Sequence, residues 1–204
     1  FVLFIRHKLY DWRLLKSKSF NIPNICVGNL NLGGTGKTPH IEYLIRLLSD
    51  NYKVAVLSRG YGRKTKGFLL AQENNSHKDI GDEPMQYLCK FKNIEVAVDE
   101  NRCNGMNQLL KQKSHPQIVL LDDAYQHRKI KPGLNILLTD YYNLYSNDHL
   151  VPAGKLRDIK KAAKRAEIIV VTKSPNVITP YYRRDIEESL KPLHHQKIFY
   201  SYIE

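Results

Sequence analysis

Cysteine is scarce and scattered. Cys26, Cys89 and Cys103 form no C-x-x-C pair, which argues against a zinc site or a disulfide framework and fits a reducing compartment. No segment approaches the roughly 18 consecutive apolar residues of a membrane span, and no charged, apolar and cleavage regions follow one another as in a secretory signal. Repeats and low-complexity tracts are absent, and a chain of 204 residues with 42% hydrophobic and 25% charged residues has the composition of a globular core. Acidic residues are outnumbered 20 to 32, for a net charge of +12. Such a balance calls for an anionic partner: a nucleotide, a nucleic acid or an acidic membrane surface. Helix-turn-helix, zinc-finger and RNP patterns are all missing, which weighs against nucleic acid.

What is present alternates. Short runs rich in Val, Ile and Leu predict strands at 22–27, 53–57, 94–98, 117–121, 134–139 and 168–172, the pattern of strands buried on both faces. Helical segments fit between them at 38–48, 83–91, 101–113, 159–166 and 181–190. The expected fold is an α/β, P-loop NTPase-like doubly wound sheet, mainly parallel, with flanking helices and ligands at the carboxyl ends of the strands. Ser174-Pro175-Asn176 marks the expected end of a nucleotide-binding domain spanning 21–175, with 176–204 beginning a smaller second domain. The chain opens on Phe1, and 197–204 reads as a strand cut short, so a piece of a longer protein is expected.

Ile25 to Pro39 carries the clearest chemistry: an apolar strand, then Asn31-Leu32-Gly33-Gly34-Thr35-Gly36, then Lys37-Thr38 opening a helix. Closely spaced glycines let backbone N–H groups converge on an anion, and the helix N-terminus adds its positive dipole end. Lys37 would reach the β- and γ-phosphates of a nucleoside triphosphate, and Thr38 would hold Mg²⁺. The match is a variant, because Asn31 occupies the first glycine position of G-x-x-x-x-G-K-[ST]. No Asn-Lys-x-Asp motif is present, which disfavours GTP.

The 117–121 strand runs into Asp122-Asp123, the arrangement by which a Walker B element holds Mg²⁺ opposite a P-loop. Asp82, in Gly81-Asp82-Glu83-Pro84, reads locally as a helix N-cap, although a carboxylate at that sheet edge could also accept a hydroxyl proton during phosphoryl transfer. Arg59, Arg63 and Lys64 in a glycine-containing turn could receive a phosphate of the acceptor or simply form a solvated basic turn; Arg102, Gln126 and His127 are further candidates to line the site. In Val151 to Asp158, Arg157 could neutralise charge on the moving phosphoryl group, and Asp158 could orient donors or metal, or simply cap a helix. Residues 1–20 mix Arg6, Lys8, Arg13, Lys16 and Lys18 with Phe1, Val2, Phe4, Ile5, Leu9, Tyr10 and Trp12. That mixture suits a helix lying in a membrane interface, or one packing on its own domain.

Taken together, the motifs at 27–39, 58–63, 81–84, 122–128, 152–158 and 171–173 resemble, in order, those of the tetraacyldisaccharide 4′-kinases, the lipid A 4′-kinases of Gram-negative bacteria. The resemblance implies transfer of the ATP γ-phosphoryl group to the 4′-hydroxyl of a tetraacylated glucosamine disaccharide 1-phosphate, a lipid A precursor, at the cytoplasmic face of the inner membrane. It implies that Lys37 and Thr38 serve ATP and Mg²⁺, that Asp122 and Asp123 form the acidic metal site, and that Asp82 is the base. The chain departs from the family pattern at Ala124, where glycine is frequent, and at Asp158-Ile159, where Glu-Pro is frequent. The family also extends into a smaller second domain that helps close the site. An alternative on the same motifs is a P-loop ATPase coupled to a protein partner.

Overall fold

The computed structural model describes residues 2–203. Phe1, counted in the expected N-terminal segment, and Glu204, the end of the expected last strand, lie outside the described residues. In chain order the elements are α1 (Val2–Asp11), β1 (Asn24–Asn29), α2 (Lys37–Leu48), β2 (Val54–Ser58), β3 (Leu69–Leu70), α3 (His77–Ile80), α4 (Asp82–Lys90), β4 (Glu95–Val98), α5 (Arg102–Leu110), β5 (Ile118–Asp122), β6 (Leu134–Asp140), β7 (Ile168–Thr172), α6 (Pro180–Leu190) and β8 (Lys197–Tyr200). Short 3-10 turns lie at Tyr145–Asn147 and Lys160–Arg165.

The strands form one eight-stranded sheet in the order β3-β4-β2-β5-β1-β6-β7-β8, parallel except for the β3–β4 pair. Its central strands are Val, Ile and Leu runs because both faces are covered. On one face, Ile41 and Ile45 of α2 and Tyr87 of α4 pack on Val27, Val56, Leu120 and Leu138. On the other, Met106 and Leu109 of α5, Ala162 and Ala163 of the 3-10 turn, and Ile186 and Leu190 of α6 close over Cys26, Leu57, Leu121, Leu137 and Ile169. Each fully buried aliphatic side chain contributes about 1.5–3 kcal/mol relative to exposure.

Two expectations need correction. The segment after Ser174 does not begin a separate domain within the described residues: α6 packs on the same core, and β8 pairs in parallel with β7, Ile169 opposite Ile198 and Val170 opposite Phe199. The break at 174–176 is therefore a loop between β7 and α6. The helix expected at 159–166 is a 3-10 turn over Lys160–Arg165, short enough for that tighter winding.

Helix α1 turns His7 and Tyr10 inward and leaves Val2, Phe4 and Ile5 exposed. Arg128 clamps it, with Nη1 donating to the His7 carbonyl at 3.0 Å and Nη2 to Asp11 Oδ1 at 2.9 Å, while its guanidinium lies 4.8 Å from the Tyr10 ring centroid. Arg6 adds a bond from Nη2 to the Gln126 carbonyl at 2.9 Å.

Candidate active site

The phosphate loop leaves β1 and enters α2 with Gly33 at φ 105° and Gly36 at φ 82°, left-handed conformations that favour glycine. Asn31 has no such backbone requirement. Its side chain is used instead: Nδ2 donates to Asp148 Oδ2 at 2.9 Å, and its backbone bridges to Leu156. The Leu32 N–H donates to the Lys155 carbonyl at 2.6 Å, so the loop leans on the segment that carries Arg157. Pro39 occupies the first turn of α2, where a missing N–H leaves no intrahelical bond unmade.

An open cleft of about 660 Å³ lies beside this loop, bordered by Leu32, Lys37, Arg59, Asp82, Asp123 and Arg157, with Arg102, Gln126 and His127 at its wall. Its size is within the usual range for a small-molecule site, about 300–1,000 Å³. Six segments far apart in the chain meet here: those of Lys37, Arg59, Arg102 and Asp123 follow the carboxyl ends of the parallel strands β1, β2, β4 and β5, and those of Asp82 and Arg157 come from the longer β3–β4 and β6–β7 connections.

The paired aspartates divide. Asp122 ends β5 fully buried; burial, followed by repulsion from Glu83 and Asp123, pushes its carboxyl up to about 7. Its Oδ1 is a buried oxygen with no hydrogen-bond partner. Asp123 turns outward at φ 47° and accepts from Arg157 Nη1 at 2.9 Å and again from Nη2, with Lys37 Nζ 4.0 Å away. Burial alone would raise Asp123, but Arg157 and Lys37 outweigh it and hold the carboxyl below the usual range. Arg157 is itself seated on Asn29, whose side-chain and backbone oxygens accept from Nη2.

Asp82 is not an N-cap. That position belongs to Gly81, at φ 93°, where an added Cβ would lie 2.7 Å from the Tyr61 carbonyl; Asp82 is the first residue of α4, exposed at the cleft. Two other expectations fall away from the site. Arg63 folds back, donating to the Gly67 carbonyl at 2.7 Å and to Glu100. Asp158, 2% exposed, points under α1 instead of into the cleft: Oδ1 meets His7 Nε2 at 2.5 Å and the Ile159 N–H at 2.9 Å, and Oδ2 lies 3.6 Å from Arg165.

Arg59 is exposed at the cleft, as expected of an anion contact. Arg102 is buried, with Nη1 donating to the Asp99 carbonyl at 3.0 Å and Nη2 to the Asp122 carbonyl at 3.1 Å, so it fastens the end of β5; burial lowers it to about 10. Gln126 Nε2 donates to the Asn29 carbonyl at 2.7 Å. His127 is pushed down to about 4, first by burial and then by Arg102 and Arg59, and is therefore neutral at physiological pH. Sequence reasoning missed Asn29, which lies within the 27–39 motif but at no position to which a role was given, and Tyr87 and His7, polar groups within helical runs that carry no motif.

A doubly wound sheet with a glycine loop, a helix-opening Lys-Thr and an acidic strand end defines a P-loop nucleotide-binding protein. The family described as tetraacyldisaccharide-1-P 4′-kinase matches residues 1–199. The tetraacyldisaccharide 4′-kinase of Flavobacterium johnsoniae is 54% identical over 98% of this chain and 59% of its own length, and that of Bacteroides thetaiotaomicron 53% identical over 98% and 53%. A crystal structure of LpxK from Aquifex aeolicus in complex with ATP superposes with a TM-score of 0.78 at 31% identity, over 98% of this chain and 77% of that one. The chain belongs to the tetraacyldisaccharide-1-P 4′-kinase family and spans about half the length of the curated relatives it matches.

Proposed function

We propose that this chain is the nucleotide-binding part of a kinase that transfers the γ-phosphoryl group of ATP to the 4′-hydroxyl of tetraacyldisaccharide 1-phosphate, a step of lipid A synthesis. The observation that carries the reading is the convergence of Lys37, Asp123 and Arg157 on one side of the cleft with Asp82 at its border. Lys37 and the loop N–H groups bind the nucleotide phosphates, and Arg157 neutralises charge that develops on the transferred group. Asp82 accepts the proton of the attacking hydroxyl. Exposed Arg59 contacts the anionic acceptor.

Thr38, Asp122 and Asp123 would hold Mg²⁺. The unpartnered buried Oδ1 of Asp122 fits that assignment, since such an oxygen is costly unless a cation or donor meets it. A divalent cation held there would supply positive charge that offsets that of the nucleotide phosphates.

Among the described residues no helix is long and apolar enough to cross a membrane. The exposed apolar side chains of α1 and of Trp12, Leu14 and Leu15, beside Lys8, Arg13 and Lys16, support peripheral attachment to an acidic bilayer. We assign this to the cytoplasmic face of the inner membrane, where ATP is available. The test follows γ-labelled phosphate from Mg·ATP into tetraacyldisaccharide 1-phosphate in detergent micelles, with the full-length protein and its Asp82→Ala variant. Label in the lipid that is lost with Asp82 supports both reaction and base. Release of free phosphate without labelled lipid overturns the reading in favour of a partner-coupled ATPase.

A further inference from the structure

Tyr87 is fully buried on α4, in a layer otherwise made of aliphatic side chains such as Val27, Ile41, Ile45 and Leu120. Phenylalanine would fill the same volume without a hydroxyl to desolvate, and a buried phenol is tolerated only where its O–H finds partners. The partners here are specific. The Tyr87 hydroxyl donates to Asp122 Oδ2 at 3.3 Å, and the side chain of Thr38 lies close beside it. Among the described residues no direct hydrogen bond joins Thr38 to Asp122. The phenol therefore stands between the threonine in the first turn of α2 and the carboxylate that ends β5, bonded to the latter.

A threonine hydroxyl that ligates a cation does so through a lone pair, and its proton then needs an acceptor. The Tyr87 oxygen can take that proton's hydrogen bond while its own proton goes to Asp122, leaving Asp122 Oδ1 unengaged. A three-member relay of this kind orients two cation-binding oxygens at once, and loss of its middle member releases both. The phenol also belongs to the helix whose first residue is Asp82, so the element carrying the proposed base is tied to the cation-binding pair.

We propose that Tyr87 is a positioning residue for the divalent cation that accompanies the nucleotide, its hydroxyl setting the orientation of Thr38 toward Asp122. This rests on the P-loop reading of the site given above, and it does not depend on the identity of the phosphoryl acceptor.

Tyr87→Phe in the full-length protein removes one oxygen and leaves the packing volume in place. Mn²⁺ affinity, measured by electron paramagnetic resonance with a non-hydrolysable ATP analogue bound, is expected to fall about tenfold, the effect of losing a hydrogen bond to a charged group. Binding of the same analogue in EDTA is expected to stay within about twofold of wild type, because the phosphate loop and Lys37 are untouched. Unchanged Mn²⁺ affinity, or equal losses with and without the metal, would overturn the proposal, the second result pointing to general loosening of the core. Tyr87→Leu serves as the packing control: a melting temperature lowered in Leu but kept in Phe separates volume from hydroxyl. Should the wild-type protein label no lipid while Tyr87→Phe still loses Mn²⁺, the kinase reading falls and the positioning role stands.

Discussion

Asp158→Ala is the perturbation whose outcome the structure sets most tightly. The carboxylate is buried under α1 and receives three groups: the ring of His7, which is 7% exposed, the Ile159 N–H, and the Arg165 guanidinium. Removing it leaves an imidazole and part of a guanidinium desolvated with no acceptor. Breaking a buried pair from one side costs about 3–5 kcal/mol, and the partly open Arg165 places this case near the lower end, about 3 kcal/mol. For a chain of this size the melting temperature should fall by roughly 6–12 °C at pH 7. His7→Ala should show part of the same loss, and the double variant should reveal a coupling of about 1–2 kcal/mol in a cycle of chemical denaturation curves. The pH dependence has a definite sign. Burial pushes Asp158 up, but the bonds from His7 and Ile159 and the charge of Arg165 outweigh it and hold the folded carboxyl below its ordinary value. A depressed carboxylate contributes stability above its unfolded value of about 3.9 and loses it as pH falls through the folded one. The gap between wild type and Asp158→Ala should therefore be full at neutral pH and narrow in acid. A gap under about 2 °C at pH 7, where about 3 kcal/mol predicts more, or one that stays constant down to pH 3, would refute the reasoning.

Other perturbations test separate parts of the site. Lys37→Ala should weaken ATP binding by about 10- to 100-fold, the value of a charge-assisted bond to phosphate, as read by calorimetry. Gly28→Ala would place a Cβ 2.6 Å from the Tyr125 Cβ, at the β1 end beside β5; because both atoms are fixed by backbone, a loss of about 1–3 kcal/mol in urea unfolding is expected. Trp12→Glu with Leu14→Glu alters side chains that are 65% and 69% exposed and should abolish co-sedimentation with anionic vesicles while leaving ATP affinity unchanged.

The parallel core was legible because strands buried on both faces must be apolar throughout, and β5 and β7 stand within a residue or two of their expected limits. Elements too short to show a period were invisible: β3 has two residues and α3 four, the latter held by the Ser76–Asp79 capping box. The expected domain break at 174–176 came from turn-forming residues, which mark a loop but do not say whether the chain returns to the same sheet. Within the site, glycine and charge patterns pointed to the cleft-bordering Lys37, Asp82, Asp123 and Arg157, since loops at strand ends carry such residues for few other reasons. Direction was the missing information. Arg63 and Asp158 have the charges that a phosphate site uses, but Glu100 lies within reach of one and His7 of the other, and neither partner is near in sequence.

Those misdirected charges bear on how the cleft is held. Arg157 faces Asp123 in the cleft, whereas its neighbour Asp158 faces His7 beneath α1. Adjacent residues pointing to opposite sides of one loop make that loop a mechanical link between the candidate membrane helix and the phosphate site. The link is doubled, because Arg128 and Arg6 fasten α1 to the segment that follows the paired aspartates. On the proposed function, an acceptor held in a bilayer must reach a nucleotide bound from water, and an interfacial helix floating free of the core would let that distance vary. If α1 rests on a bilayer as proposed, anchoring it by polar bonds while its apolar side chains remain outside would fix the height of the P-loop above that surface. On that proposal the inward His7 and Tyr10 and the outward Phe4, Ile5 and Trp12 are two halves of one requirement: polar contacts that hold the helix to the protein, and apolar ones left for the lipid.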